Sequence, residues 1–260
     1  MMLKIESLQN ESVKQACRLA ASAKARQEEN AFFLEGLRLC SDAVQSGVRV
    51  LQCFVTEAAL ERGEARLFAL VSAAERTALV SPAVAQKLSQ TQSPQGVFCV
   101  CEMPRQTADV DPNGVYIALD HVQDPANLGA VIRTAEALGL SGAVLCGCCD
   151  VYNPKAQRAA MGSLLRLPLT QTDDLTAFLP PLRARGMRLL ATTPDASAQP
   201  LPALSIRGGV IAVIGNEANG VSPAVLALCE RVTIPMNGRA ESLNASMAAA
   251  ITMWELVRAR

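Results

Sequence analysis

Five short apolar runs after residue 114 constrain this chain more than any other feature: VYIALD (115–120), GAVLCG (142–147), RLLATT (188–193), GVIAVIG (209–215) and RVTIPM (231–236). Helical stretches separate most of them. Strands buried on both faces read as near-continuous hydrophobic runs, so this alternation predicts an α/β fold with a mostly parallel sheet covered by helices on both faces. In such an open sheet the ligand sits beyond the carboxyl ends of the strands. The loops that follow the runs are therefore where function is to be sought.

Ahead of them, EMPRQTADVDPNG (102–114) is polar, rich in turn residues and aperiodic, as a linker is. It divides the chain into a first domain over 1–105, a linker over 106–113 and a second domain over 114–260. The first domain alternates helical patterns (Ser12 to Ala25, Leu34 to Ser46, Pro82 to Ser89) with the extended runs VLQCFVT, TALV and GVFCVCE. A smaller α/β unit is expected there.

Half of the 260 residues are hydrophobic and 18% are charged, which excludes a disordered chain. No apolar run reaches the roughly 18 residues of a membrane span, and the start MMLKIESLQNESVKQ lacks the apolar core of a secretory signal. A cytoplasmic location is expected, with no membrane partner. The nine cysteines are an odd number scattered through apolar surroundings and read as reduced core residues. Although CGCC (146–149) could hold a soft metal, it has no second pair at zinc-finger spacing, and His121 is the only histidine in the chain. No metal is expected. A single histidine also argues against a hydrolytic triad.

Three loops carry polar, glycine-bearing turns into helices. The first is DPANLG, where Asp124 caps a helix that Pro125 opens; Leu128, Val131, Ile132, Ala135 and Leu138 form its apolar stripe and leave Asn127 and Arg133 aside. The second is GNEANG (215–220), and the third is PMNGRAESLNAS (235–246). Leu243, Met247, Ala250, Trp254 and Val257 follow the third at spacings suited to burial. None of the loops matches a dinucleotide or phosphate-loop fingerprint. Asn127, Arg133, Glu217 and Asn244 are brought to one edge of the sheet. An Arg beside a Glu there either ties loops together as an ion pair or serves a ligand.

The segments LDHVQDPANLGAVIRTAEALG, IGNEANGVS and IPMNGRAESLNASMAAAI, in that order, resemble the three signature motifs of the SpoU/TrmH branch of the SPOUT methyltransferases. The first domain, through VKQACRLAASAKARQEENAFFLEG and TQSPQGVFCV, resembles more loosely the ribosomal-protein-like RNA-binding domain of many relatives. The resemblance implies a trefoil knot, a homodimer with shared active sites, and methyl transfer from S-adenosylmethionine to a ribose 2′-hydroxyl of RNA, leaving S-adenosylhomocysteine. It implies cofactor contacts at Thr193, Gly215, Ile234, Met236 and Leu243. It also makes Asn127, Arg133, Glu217 and Asn244 the catalytic set, with Arg133 as base. A guanidinium normally stays protonated, so Arg133 could instead clamp the adjacent phosphate. Ala160 stands where relatives often have serine, and His121 where glycine is usual.

Zero net charge means that RNA contacts must be local. Lys14, Arg18, Lys24 and Arg26 fall within thirteen residues that hold no acid, and Lys155 and Arg158 lie in NPKAQRAAMGS, which is similar to the relatives' NPKAVRASAG. These six cations are the expected RNA contacts. The expected substrate is a guanosine of rRNA rather than tRNA, and no DNA is expected. The alternatives are a tRNA 2′-O-methyltransferase, a base methyltransferase of the same superfamily and a non-catalytic RNA-binding protein.

Overall fold

The computed structural model describes residues 2–104, 109–195 and 197–259. It divides into two compact units, 1–104 with 152–158, and 105–151 with 159–260. Residues 106–108 of the expected linker, and residue 105 before it, fall outside the described residues.

The first unit contains β1 (Leu3–Ile5), α1 (Glu11–Ala21), α2 (Ala23–Glu29), β2 (Ala31–Glu35), α3 (Leu37–Gln45), β3 (Val50–Val55), α4 (Glu57–Glu61), α5 (Ala65–Ala73), β4 (Thr77–Val80), α6 (Pro82–Leu88) and β5 (Val97–Glu102). Its sheet has the order β1-β4-β3-β5-β2, in which β5 runs antiparallel to both neighbours. The helical pattern expected from Ser12 to Ala25 is broken at Ser22, which ends α1 and caps α2 by accepting from the Ala25 amide at 3.2 Å. The start expected at Leu34 is corrected too. Leu34 belongs to β2, and Gly36, at φ +96°, turns the chain before α3 begins at Leu37.

Further along the chain follow β6 (Val115–Asp120), α7 (Pro125–Ala137), β7 (Gly142–Cys146), α8 (Pro154–Ala160), β8 (Leu169–Thr172), α9 (Leu175–Ala184), β9 (Arg188–Thr192), β10 (Gln199–Pro200), β11 (Val210–Ile214), α10 (Pro223–Leu226), β12 (Glu230–Thr233) and α11 (Ala245–Arg258), all but α8 in the second unit. Most of α8 groups with the first unit. Its Gln157 Nε2 donates to the Phe33 carbonyl at 2.9 Å, and the Tyr152 ring lies 4.4 Å from that of Phe32.

The second sheet has the order β10-β12-β9-β11-β6-β7-β8, and every pairing is parallel. All five apolar runs are strands of it. Every residue of β6, β7 and β11 is buried, as strands covered on two faces must be. Because the strands are all parallel, the carboxyl ends of β9, β11, β6 and β12 share one edge. Three polar loops converge there.

The apolar stripe of α7 is buried at Leu128, Val131, Ile132 and Ala135, and Leu138 is half-buried. The expected stripe of α11 is a correction. Its buried face is Ala245, Ser246, Ala249, Thr252, Met253 and Leu256, whereas Met247 and Trp254 are each 56% exposed and Ile251 is 40%. Close packing against β11 and α7 selects the side of the helix with smaller side chains. The larger apolar groups face outward.

Candidate functional site

Asp124 caps α7 by accepting from the Ala126 amide at 2.6 Å, and Pro125 takes the first helical position, where a missing N–H costs nothing. That start turns Asn127 inward, and it is 8% exposed, not off the core-facing line as its spacing suggested. Asn127 Nδ2 donates to Glu217 Oε1 at 3.1 Å. Asn127 Oδ1 accepts from Asn244 Nδ2 at 3.1 Å. Asn244 is itself fixed, because its Oδ1 caps α11 by accepting from the Ser246 amide at 2.9 Å and the Ser246 hydroxyl at 2.6 Å. One side chain from each of the three loops thus joins a single relay.

Glu217 also accepts from the amides of Gln123 (3.2 Å) and Asp124 (3.1 Å). Partial burial pushes its carboxyl up, but the hydrogen bonds from Asn127 and those two amides outweigh this and hold it below the usual carboxylate range. The carboxylate is thus charged at neutral pH.

Beside the relay opens a cleft of about 290 Å³ bounded by the loops after β9, β11 and β12. Thr193, Gly215, Ile234, Met236 and Leu243 all line it, and Glu217 is its one charged lining residue among those described. The wall is partly apolar. Met236 and Leu243 stay 37% and 38% exposed, giving a flat ring somewhere to lie. The GNEANG loop folds back on itself through paired bonds between Asn216 and Gly220, at 3.0 and 2.9 Å. A Cβ on Gly215 would sit 1.9 Å from the Gly220 carbonyl carbon, so only glycine fits.

Arg133 stands apart from the relay. Six residues after Asn127, it lies about 120° around the helix and about 9 Å along it. It is exposed, with no hydrogen bond or ion pair among the described residues. The Arg–Glu ion pair that the sequence allowed is not formed, since backbone and amide donors satisfy Glu217.

The cations of the first unit are not a bare patch. Lys14 pairs with Glu11 at 2.9 Å, Arg18 with Glu29 and Lys24 with Glu28 at 3.7 Å, because helical spacing and the α1–α2 corner bring acids from either side of the run. Arg26 is a correction to the expected surface cation. It is 3% exposed and donates to the carbonyls of Leu19 and Ala20, closing the last turn of α1. Lys155 and Arg158 are exposed on α8, and Ala160 at its end is buried.

The cysteines are free thiols among the described residues. In CGCC, Cys148 donates to the Leu119 carbonyl at 3.4 Å, and burial pushes its thiol up to about 12 and that of Cys149 up to about 11. Both stay protonated at neutral pH, so neither is poised as a thiolate ligand. Sequence reading passed over Asp120, Gln123 and Asn216, which organise these loops. Asp120 did leave a signal, as the lone acid ending an otherwise apolar strand.

Residues 114–254, more than half of the chain, match the SpoU rRNA Methylase family. The chain belongs to that family. Residues 10–99 match the MRM3-like substrate binding domain, which accompanies the SpoU match. The 23S rRNA (guanosine(2553)-2′-O)-methyltransferase RlmP of Bacillus subtilis is 32% identical over 257 residues, covering 98% of this chain and 99% of the relative. The 23S rRNA (uridine(2479)-2′-O)-methyltransferase of Streptomyces viridochromogenes is 30% identical over 253 residues, covering 93% and 88%. Among solved structures, the SpoU methyltransferase AviRb of S. viridochromogenes in complex with AdoMet aligns over 96% of this chain and 98% of its own, with a TM-score of 0.85 and 28% identity. The AdoMet-bound rRNA methyltransferase of Sinorhizobium meliloti aligns over 99% and 98%, with a TM-score of 0.87 and 30% identity.

Proposed function

We propose that this SpoU methylase transfers a methyl group from S-adenosylmethionine to the ribose 2′-hydroxyl of a guanosine in large-subunit rRNA. The observation that carries the reading is the Glu217–Asn127–Asn244 relay at the wall of the cleft. The cleft suits the cofactor on its own chemistry: an apolar surface at Ile234, Met236 and Leu243 for a flat ring, and the Glu217 carboxylate for a cationic ligand. S-adenosylmethionine supplies an activated methyl group when bound, and S-adenosylhomocysteine leaves. The knot implied by the sequence motifs would bring the 235–244 segment into this cleft.

The protein's share is orientation and proton handling. Asn127 is held by Glu217 and Asn244, and Asn244 by its cap on α11, so the relay fixes the rim against which a ribose would be oriented. Arg133 serves as a phosphate clamp through its guanidinium, with the hydroxyl proton lost to water. It works in a homodimer. The outward Met247, Ile251 and Trp254 face of α11 is exposed, while the other side of the helix packs against α7, which carries Arg133. A second copy covering that face would bring an Arg133 to the shared site. Lys155, Arg158 and the first unit's Lys14, Arg18 and Lys24 supply further RNA contacts, and a cytoplasmic location fits an rRNA substrate.

Whole-chain likeness supports rRNA over tRNA. Two 23S rRNA methyltransferases align along 93–98% of this chain, although the 23S rRNA enzyme RlmB of Acinetobacter baylyi aligns over 56%, as the TrmH/SpoU tRNA modifying enzyme of A. aeolicus does over 57% with a TM-score of 0.53, so it is the full-length matches that favour rRNA. The test is incorporation of label from methyl-tritiated S-adenosylmethionine into rRNA from cells lacking the gene, with alkaline hydrolysis of the product. A labelled, alkali-resistant dinucleotide with guanosine on the 5′ side is expected. Label in an alkali-sensitive nucleotide would make the enzyme a base methyltransferase, and cofactor binding without transfer would leave a binding protein.

A further inference from the structure

His121 is one of three non-glycine residues in the left-handed region among those described, at φ +59°. Such backbone costs about 1 kcal/mol or more and persists where the surroundings impose it. Here they do. The His121 amide donates to the Cys146 carbonyl at 2.8 Å, and its own carbonyl accepts from Asn216 Nδ2 at 2.8 Å and Gln123 Nε2 at 3.2 Å. The ring lies over Gly147, where a Cβ would come within 2.6 Å of Nε2. Its Nδ1 is 2.7 Å from Asp120 Oδ1, a carboxylate side chain only 3% exposed, whose other oxygen accepts from the Ser222 amide at 2.9 Å.

A carboxylate only accepts, so Nδ1 carries the hydrogen, and in the tautomer this sets Nε2 keeps a lone pair. The His121 side chain is 59% exposed, and Nε2 has no partner among the described residues. Cys146 brings a third donor within 4.8 Å, but both Asp120 oxygens are already engaged. The arrangement orients an imidazole, not a metal. Asn216, which holds the His121 carbonyl, also lines the cofactor cleft, so the backbone of His121 is tied to the rim of that cleft.

We propose that His121 is an RNA-reading residue. Its Nε2 accepts a hydrogen bond from a hydroxyl or amino group of a nucleotide adjoining the target ribose, and Asp120 is the positioning residue that fixes the accepting tautomer. The inference rests on the proposed RNA methyltransferase activity.

Substitution Asp120→Asn tests it sharply. With its oxygen serving the Ser222 amide, the new side chain turns an NH2 toward Nδ1, which inverts the tautomer and converts Nε2 into a donor. His121→Gly removes the ring and relaxes the backbone. RNA affinity is measured by filter binding with deproteinised 23S rRNA, alongside S-adenosylmethionine affinity by calorimetry and thermal melting. Each variant is expected to bind the RNA about five- to tenfold more weakly, as the loss of one neutral hydrogen bond does, with cofactor affinity unchanged. The double variant is expected to be no weaker than either single one. Unchanged RNA affinity in His121→Gly, or independent losses that multiply in the double variant, overturns the proposal. Methyl incorporation is read separately. If the wild type binds this RNA but never methylates it, the activity fails while the binding comparison still decides the role of His121.

Discussion

Replacing Asn127 by Asp changes one atom group at the centre of the relay. Asp keeps the oxygen that accepts from Asn244 Nδ2, but it puts a second oxygen where Nδ2 now donates to Glu217 Oε1 at 3.1 Å. Two carboxylates at that distance repel by about 5 kcal/mol at an effective dielectric constant of 20. Glu217 is exposed, and solvent screening reduces this to about 2–3 kcal/mol, equivalent to about 2 pKa units. The folded pair relieves the repulsion by retaining one proton, which raises one apparent pKa above the unfolded value near 4. The folded state then binds more protons than the unfolded one between those two values, so stability falls as pH rises. Urea melts are expected to show a small deficit against wild type near pH 4, growing by up to about 1.4 kcal/mol per pH unit and levelling off near pH 6. Asn127→Ala removes the bond without adding charge, so its deficit should be far flatter over that range. Parallel pH dependence of the Asp and Ala variants would refute direct contact between Asn127 and Glu217.

Further outcomes follow from single contacts. Arg26→Ala leaves the buried carbonyls of Leu19 and Ala20 without their donor and should lower stability by about 2–3 kcal/mol in denaturant melts; RNA affinity of the folded fraction is expected to stay unchanged. Gly215→Ala sets a Cβ against the Gly220 backbone, so about 1–3 kcal/mol of stability and at least tenfold in S-adenosylmethionine affinity, read by calorimetry, should be lost. Trp254→Glu charges a face that is exposed in one copy; light scattering should show half the wild-type mass, with methyl incorporation reduced.

What could be read in the sequence depended on how far each signal reached along the chain. The five runs announced a parallel sheet because burial on two faces leaves an unbroken local mark, whereas β1 has three residues and β10 two, too few for any periodicity. At β2, the end of AFFLE merges with the apolar spacing of α3, so the expected helix takes in Leu34 and Glu35, since only Gly36 separates the two elements. In the site, Asn127, Glu217 and Asn244 stood out as polar residues at the starts of loops and helices, yet their bonding spans 90 and 117 positions and needed the fold. Arg26 misled for the same reason. Its partners are carbonyls, which have no side-chain signature.

The reading of α11 failed in a more instructive way. Spacing identified a real apolar stripe on that helix, and the helix also carries a second, smaller-sided one. Only one can face the sheet, and close packing favours the small side. A stripe of Met247, Ile251 and Trp254 left to water has no use in a lone chain, because each group then loses the burial free energy it could contribute. Arg133 poses the matching problem from the polar side, as a cation on the neighbouring helix that the relay does not engage. The proposed second copy covering α11 would account for both, which is why breaking the face at Trp254 should depress methyl transfer even though Trp254 lines no part of the cleft.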